Sequence, residues 1–248
     1  MLHGYGQVHH TDGDRARTGV GINIVTPVVR VDGNRIWVSS TGGDDSGWLD
    51  APDVLPLSDA LAYFTARIER DPNDWDAYLR RGEANHALNQ RAAATLDYTK
   101  AIALHPGEAF LYLRRGRHWS TLRDCAGALH DFETAIKLVP TSSPQDYDLT
   151  AELYSLESGI YAGCPERAYR DSQGAIATAQ RAVDLDPSRP TLLSILASAY
   201  ASAGDYRNAV AAQKRALASA RFPAGYRNDG QHQLEEYQRA LDTKQPVQ

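Results

Sequence analysis

The stretch WDAYLRRGEANHALNQRAAATLDYTKAIALHPGE, residues 75–108, is followed at once by AFLYLRRGRHWSTLRDCAGALHDFETAIKLVPTS, residues 109–142. The two stretches share one pattern of small and aromatic side chains. A proline stands near the end of each stretch, Pro106 in the first and Pro140 in the second. With Pro72 before the first stretch, these prolines are spaced 34 residues apart. A fixed period of this length indicates stacked helical hairpins, each of which buries its apolar face against its neighbours.

The small and aromatic residues of this pattern have a packing role. When the closing proline is numbered 32, positions 8, 20 and 27 carry Gly or Ala, because helices that cross closely leave no room for a branched side chain. Positions 4, 11 and 24 are often aromatic, because a large flat ring fills the space beside a small residue. The matching residues are Tyr78, Gly82, Ala94, Tyr98 and Ala101; then Tyr112, Gly116, Trp119, Ala128, Phe132 and Ala135; and, in a later unit from Pro190, Ala197, Tyr200, Ala209 and Ala216.

This pattern resembles the tetratricopeptide repeat (TPR) family over roughly residues 57–220. The resemblance implies a mainly α fold, a right-handed helical solenoid of about three full repeats, and a concave face that binds a peptide or protein segment. We therefore predict a TPR solenoid with capping helices over residues 57–243 and a tail over residues 244–248. The caps are predicted around Ala60, Phe64 and Ile68 at one end and over residues 231–242 at the other.

One repeat of the predicted solenoid is irregular. The interval from Pro140 to Pro187 exceeds the period by 13 residues, although Ser158 still suits position 8. Within it, Cys164–Asp171 is similar to a variant linker of some bacterial TPR proteins, in which Cys-Pro ends one helix and Arg-Asp begins the next. Asp171 or Ser172 is predicted to cap that next helix. The linker is either a tolerated loop or a loop that helps to bind a partner.

The amino-terminal part of the chain is different in kind. Residues 1–18 are predicted to be a disordered tail and residues 19–56 a small β-rich segment. Two β-rich runs within Thr26–Ser40 meet at Asp32-Gly33-Asn34, which is a hairpin signal.

The β-rich segment also carries a resemblance. The hairpin, a Gly-rich loop and Gly47-Trp48 together resemble the last strands of a bacterial Src-homology-3-type barrel. Trp37 and Trp48 are then either core and domain-contact residues or the ligand-binding aromatics of such a barrel.

Composition excludes several classes of function. A net charge of −5 over 248 residues argues against nucleic acid as the main ligand. No apolar run approaches the length of a membrane span, so we predict no membrane partner. The first ten residues have neither the charged start nor the apolar core of a signal peptide, so the expected location is cytoplasmic. Cys125 and Cys164 fall in different units without metal-ligand spacing, and we predict that both are free thiols.

Motifs that carry catalysis are absent from the sequence. It has no Walker loop, GxSxG, HExxH or CxxC pattern. The segment His9–Asp14 contains metal-ligand residue types, but its polar, Gly-containing composition is that of a disordered tail. We therefore predict no enzyme activity, no cofactor and no metal site.

The predicted binding residues are those that face the concave side in TPR proteins, at positions 2, 5, 9 and 12 of each first helix, with position 6 at the lip. In the first two units they are Asp76, Leu79, Arg80, Glu83, His86, Phe110, Leu113, Arg114, Arg117 and Ser120. The Lys and Asn with which some members of the family bind a terminal carboxylate are missing, because Leu79 and Leu113 stand at position 5. The remaining chemistry predicts a segment with apolar and acidic groups as partner. Arg80, Arg81, Arg114 and Arg115 are alternatively a solvated helix face.

Two functions follow from this interpretation. The first is an adaptor or scaffold whose groove binds a protein segment. The second is a structural or self-associating module of a larger assembly, which contacts its partners through the amino-terminal β-rich segment.

Overall fold

The computed structural model describes residues 3–6, 25–33, 35–39, 46–50, 54–140 and 142–244. The chain divides into two compact units, Met1–Pro106 and Gly107–Gln248. Over the described residues, the first unit combines a small sheet with three helices, and the second contains helices and the turns that join them.

The first unit begins with an antiparallel sheet of five strands in the order β4-β3-β2-β1-β5. These are β1 (His3–Gly6), β2 (Val25–Asp32), β3 (Arg35–Ser39), β4 (Ser46–Asp50) and β5 (Val54–Pro56). The first half of β2 pairs with β1 and the second half with β3, and the register shifts between Val28 and Arg30. Such an irregularity bends a strand, which allows β2 to pair with β1 through its first half and with β3 through its second half.

The hairpin expected at Asp32-Gly33 lies between β2 and β3, and Gly33 has a φ of 57°. A left-handed conformation of this kind is accessible to glycine at little cost. The prediction of a disordered tail over residues 1–18 is wrong for His3–Gly6, which pairs with both β2 and β5. Two glycines in four residues give a weak strand signal, and the pairing comes from distant parts of the chain. The rest of that predicted tail, including His9–Asp14, lies outside the described residues, and the resemblance to a Src-homology-3-type barrel stays a prediction.

Three helices complete the first unit: α1 (Leu57–Arg70), α2 (Trp75–Ala87) and α3 (Arg91–Leu104). The residues predicted for the amino-terminal cap, Ala60, Phe64 and Ile68, are buried in one cluster with Ala77 and Ala84 of α2. α1 therefore covers the apolar side of the hairpin that α2 and α3 form.

Over its described residues the second unit contains seven α-helices and two short 3₁₀ helices, Arg167–Tyr169 and Ala224–Tyr226. The α-helices are α4 (Ala109–Thr121), α5 (Cys125–Leu138), α6 (Pro144–Gly163), α7 (Ser172–Leu185), α8 (Pro190–Ser202), α9 (Tyr206–Ala218) and α10 (Arg227–Lys244). α5 and α7 each end two residues before a proline, Pro140 or Pro187, as α1 and α3 do in the first unit. Proline disfavours the helical conformation of the residue before it, so the positions of the prolines determine where these helices end.

The small residue at repeat position 8 allows close packing of α4 on α5. A Cβ atom at Gly116 would lie 2.5 Å from Cε1 of Phe132, which is fully buried. Real Cβ atoms essentially never come so close to another atom. The ring at position 24 therefore fills the space that the glycine leaves open, as the repeat pattern predicts.

The irregular repeat keeps the alignment that its sequence suggests. Ser158 on α6 is buried, and its hydroxyl donates to the backbone carbonyl of Ala175 on α7 at 2.9 Å, which joins positions 8 and 20. α6 ends at Gly163 before Cys164-Pro165, and the carboxylate of Asp171 accepts from the backbone N–H of Gln173. The predicted helix stop and the Asp171 cap are both present.

The prediction of free thiols is wrong. Cys125, the first residue of α5, and Cys164, which follows α6, form a disulfide with a Cα–Cα distance of 6.3 Å. This distance lies in the usual range for a disulfide. The two residues are 39 apart in sequence, and only the packing of α6 beside the α4–α5 turn brings them together. None of the helices in the described part of the chain is long and apolar enough to cross a bilayer.

Candidate functional site

The predicted binding residues of α2 form a network of charges. The carboxylate of Asp76 accepts hydrogen bonds from Arg67 on α1 and from Arg80, both at 3.1 Å. Arg80 also donates to Glu83 at 3.2 Å, and both of these residues are buried at 7% exposure. Burial lowers the pKa of His86, so its imidazole is neutral at neutral pH. Most of this charge is therefore committed to contacts within the first unit.

Two of the predicted apolar contacts have almost no accessible surface. Leu79 and Leu113, both at repeat position 5, are 1% and 3% exposed. Leu113 belongs to a buried cluster that also contains Leu153 of α6, so this leucine packs against the next first helix of the second unit. The expectation that the two leucines contact a partner is corrected, because both side chains are already covered in the folded chain.

Phe110 and Arg114 form the accessible start of the α4 surface. The guanidinium carbon of Arg114 lies 4.3 Å from the centre of the Phe110 ring, within the range of a cation–π contact. Both side chains are half-buried. The stack holds an apolar ring and a positive charge side by side.

Arg117 and Ser120 continue the same face of α4, since residues three or four apart lie on one side of a helix. Arg117 is exposed and forms an ion pair with Glu152 of α6. Ser120 and Gly159 of α6 line one cavity. Both contacts place α4 and α6 side by side with these residues on a common surface.

We call this the α4–α6 surface and define it by six residues, Phe110, Arg114, Arg117, Ser120, Glu152 and Gly159. It joins four of the predicted residues to two, Glu152 and Gly159, that the sequence analysis did not name. The repeat alignment could have found both, because they occupy positions 2 and 9 of the irregular third repeat when Ser158 stands at position 8.

The cavity at one end of the α4–α6 surface has a volume of about 280 Å³. Its lining combines apolar groups, two glycines, one hydroxyl and one cation: Ser120, Arg123, Cys125, Gly159, Ile160, Gly163, Cys164 and Pro165. The disulfide therefore forms part of its wall.

The capping helix α10 covers part of the last repeat, which α8 and α9 form. Tyr237 on α10 is buried with Ala197 and Ala209, and its hydroxyl is hydrogen-bonded to Ser198. Ser198 stands at position 9 of the last repeat, where a partner contact was expected. The capping helix thus occupies this predicted contact position of the last repeat.

Position 7 of the first three repeats carries a charged residue. Arg81 and Arg115 at this position pair with the buried carboxylates of Asp97 and Asp131 at position 23. They are therefore structural residues, which corrects the alternative that they are simply a solvated face. The third repeat has Glu157 at position 7.

Glu157 is a buried acid on α6. It is 5% exposed, and burial raises the pKa of its carboxyl to about 7. The charge of Glu133 adds to this rise, while Arg181 and Lys137 oppose it. A proton is therefore held there at mildly acid pH.

The described residues contain no group of three or more His, Cys, Asp or Glu side chains that could hold a metal ion. The chemistry of the α4–α6 surface is that of recognition, because it offers a cation–π stack, an exposed ion pair and a small cavity.

Residues 191–222, which span most of α8 and α9, match the tetratricopeptide repeat family. A search of curated proteins returned no sequence match. The fold is similar to that of MamA from Desulfovibrio magneticus RS-1, at 20% identity and a TM-score of 0.52 over 65% of this chain and 84% of that one. The fold is also similar to that of TTC0263, a thermophilic TPR protein of Thermus thermophilus. The sequence identity is 20% and the TM-score 0.52, over 75% of this chain and 90% of that one.

A third similar structure is that of YrrB, a TPR protein with an unusual peptide-binding site, at 17% identity and a TM-score of 0.52 over 74% of this chain and 93% of that one. At such low identity the similarity concerns the fold. Together with the match at residues 191–222, it supports tetratricopeptide-type helical hairpins in this chain.

Proposed function

We propose that this chain is a non-enzymatic interaction scaffold that binds a protein segment on the α4–α6 surface. The observation that carries the proposal is the Phe110–Arg114 stack next to exposed Arg117. An apolar ring flanked by two guanidinium groups suits a segment that has both apolar and acidic side chains. The similarity to YrrB is consistent with this, since that protein has a peptide-binding site on a related fold.

The binding mode follows from the same residues. Burial of apolar groups against Phe110 supplies most of the affinity, while pairing of carboxylates with Arg114 and Arg117 sets the register. Because Arg117 already pairs with Glu152, an incoming carboxylate has to compete with it. We expect a transient complex of about micromolar affinity, or roughly −8 kcal/mol.

A pull-down from the lysate of the native host tests the proposal. The test variant is Phe110→Ala/Arg117→Glu, and the matched control is Arg207→Glu/Lys214→Glu, which reverses two exposed charges on α9. Helical content and thermal midpoint are measured for each. A partner that is retained by wild type and control and lost by the test variant supports the proposal, whereas equal retention by all three contradicts it.

Self-association through the sheet is the second candidate, and the strand order favours it. β4 and β5 are the outer strands of the five that the structure describes. An outer strand offers unpaired backbone groups to another chain. Sedimentation over a range of concentrations tests this idea, since a dimer that forms with rising concentration supports it and a monomer throughout contradicts it.

The location of the protein is part of the proposal. We infer that the Cys125–Cys164 disulfide favours an oxidising compartment rather than the cytoplasm, because cytosolic thiols are kept reduced. Alkylation of unreduced protein taken directly from its native cells decides between the two. Blocked cysteines support the oxidising compartment, and two freely alkylated cysteines support the cytoplasm.

A further inference from the structure

The cavity beside the disulfide is too small for a typical cofactor. Its volume of about 280 Å³ lies just below the range of small-molecule sites, about 300–1,000 Å³. It opens between α4 and α6 next to Ser120, at the end of the α4–α6 surface. A single side chain of a bound segment is therefore the occupant that fits its size and position.

The walls of the cavity are held in place by several contacts. The disulfide joins its two sides, the start of α5 and the end of α6. Arg170 donates to the backbone carbonyls of Cys164 and Pro165, at 2.6 Å and 3.3 Å. Ser120 donates its hydroxyl proton to the carbonyl of Gly116, which leaves the oxygen of the hydroxyl as an acceptor. A preformed cavity of this kind costs little to organise on binding.

Arg123 is the one charged residue of the lining, and its side chain is exposed. Among the described residues no carboxylate forms an ion pair with it. Its neighbour Asp124 uses its carboxylate to accept from the backbone N–H of Gly127. A negative group that enters the cavity thus meets an available cation.

The backbone of Arg123 gives a second and independent argument. Its φ is 61°, and the residues at the same repeat position, Asn89 and Gly204, have φ values of 60° and 75°. Gly adopts this left-handed conformation freely and Asn tolerates it, whereas a long side chain such as Arg is strained there. Strain of this kind collects at functional sites, and here it places a cation at the mouth of a cavity.

We propose that the cavity binds a glutamate side chain of the partner segment. The methylene groups of the glutamate pack against Ile160, Pro165 and the disulfide, and its carboxylate pairs with Arg123. This inference rests on the proposed function, since it names one contact of the segment that the α4–α6 surface binds.

The probe is an array of short synthetic peptides of varied sequence that are attached through their carboxyl ends, so that none has a free terminal carboxylate. The full-length oxidised protein is applied to it. Peptides that bind are then made in solution, and their affinities are measured for four proteins. These are wild type, Arg123→Gly, Asn89→Gly and Phe110→Ala/Arg117→Glu.

Arg123→Gly removes the cation and installs the residue of the last repeat, so it should fold at least as well as wild type. We expect it to weaken binding by about 10- to 100-fold, which is typical for a lost hydrogen bond to a charged group. Asn89→Gly makes the same kind of backbone change without removing a cation, and it should leave binding unchanged. The bound peptides should contain a glutamate. Its replacement by glutamine should weaken binding of the peptide to wild type and leave binding to Arg123→Gly unchanged.

Three results would overturn the inference, and they also separate it from the proposed function. In the first, a peptide binds Arg123→Gly and wild type with equal affinity but binds Phe110→Ala/Arg117→Glu more weakly. This result refutes the glutamate pocket and still supports binding on the α4–α6 surface. Bound peptides that contain no glutamate, or that keep their affinity for wild type when glutamate is replaced by glutamine, remove the glutamate from the cavity. If wild type binds no peptide on the array, both the glutamate pocket and the proposed binding of a segment on the α4–α6 surface are refuted.

Discussion

Arg115 donates two hydrogen bonds, each 2.8 Å long, to the two carboxylate oxygens of Asp131. The pair joins α4 to α5, and its carboxylate is 1% exposed. The same bidentate contact occurs 34 residues earlier between Arg81 and Asp97. Its two residues are therefore part of the repeat pattern itself, at positions 7 and 23. In the last repeat these positions carry Leu196 and Ala212.

We expect Arg115→Ala to lower the free energy of unfolding by about 3–5 kcal/mol, because it leaves the carboxylate of Asp131 buried without its partner. The double variant Arg115→Leu/Asp131→Ala copies the apolar pair of the last repeat and should recover most of that loss. Urea unfolding followed by circular dichroism measures both values.

The control for this comparison is Arg117→Ala, which breaks an exposed ion pair and should cost less than about 1 kcal/mol. A double variant that is as unstable as Arg115→Ala would contradict the argument, since the cost would then come from lost packing rather than from an unpaired charge.

Removal of the disulfide should destabilise the second unit. For two cysteines 39 residues apart, the chain-entropy estimate for Cys125→Ser/Cys164→Ser is a loss of about 4 kcal/mol. Peptide mapping of the unreduced protein should show the two cysteines in one cross-linked fragment. Two separately alkylated peptides in denatured, unreduced protein would show that the bond does not form.

Two glycines of adjacent first helices should respond in opposite directions to alanine. Gly116→Ala places a methyl group 2.5 Å from the ring of Phe132, which is fully buried, and should cost about 1–3 kcal/mol. Gly159 is also helical but has no neighbouring atom within 4 Å of such a methyl group. Gly159→Ala should therefore gain about 0.5–1 kcal/mol from helix propensity. Thermal unfolding gives the sign of each change. A gain at Gly116 would contradict the close packing described for α4, and a loss at Gly159 would contradict the open space beside α6.

Stability should fall as pH rises from about 4.5 to about 7, because of Glu157. The folded chain keeps this proton up to a pKa of about 7, whereas the unfolded chain releases it near 4.5. The contribution of Glu157 is thus fully present below about pH 4.5 and is lost as pH rises through about pH 7, with a total change of about 3 kcal/mol. Glu157→Gln should remove this slope, while Glu166→Gln, at an exposed position, should keep it. An unchanged slope in Glu157→Gln would assign the pH dependence to other groups.

The helical hairpins could be predicted from the sequence because their determinants are local. The prolines fix where second helices end, and Gly116 with Phe132 fixes how closely two helices pack. Asp171 could likewise be recognised as a helix cap from its place after the linker. Each of these signals depends on residues within one repeat, so the period alone locates them.

The parts that sequence missed depend on contacts between distant segments. The disulfide needs α6 to lie beside the α4–α5 turn, and spacing along the chain does not show this. β1 depends on partners at least 20 residues away in sequence. Leu113 was expected on the binding face, but whether a position-5 side chain faces solvent or the next first helix depends on how closely the two helices approach. The α4–α6 surface was consequently predicted in part, through Phe110, Arg114, Arg117 and Ser120.

Site-specific photo-crosslinking tests most directly whether the α4–α6 surface binds a protein segment. A photoreactive phenylalanine analogue is placed at Phe110 in one protein and at Glu133, an exposed residue of α5, in the other. Both proteins are irradiated in the lysate of the native host. The account predicts a distinct cross-linked product from position 110 and none from position 133, with the adduct on a segment that contains apolar and acidic residues. Equal cross-linking from the two positions, or a product from position 133 alone, would contradict it.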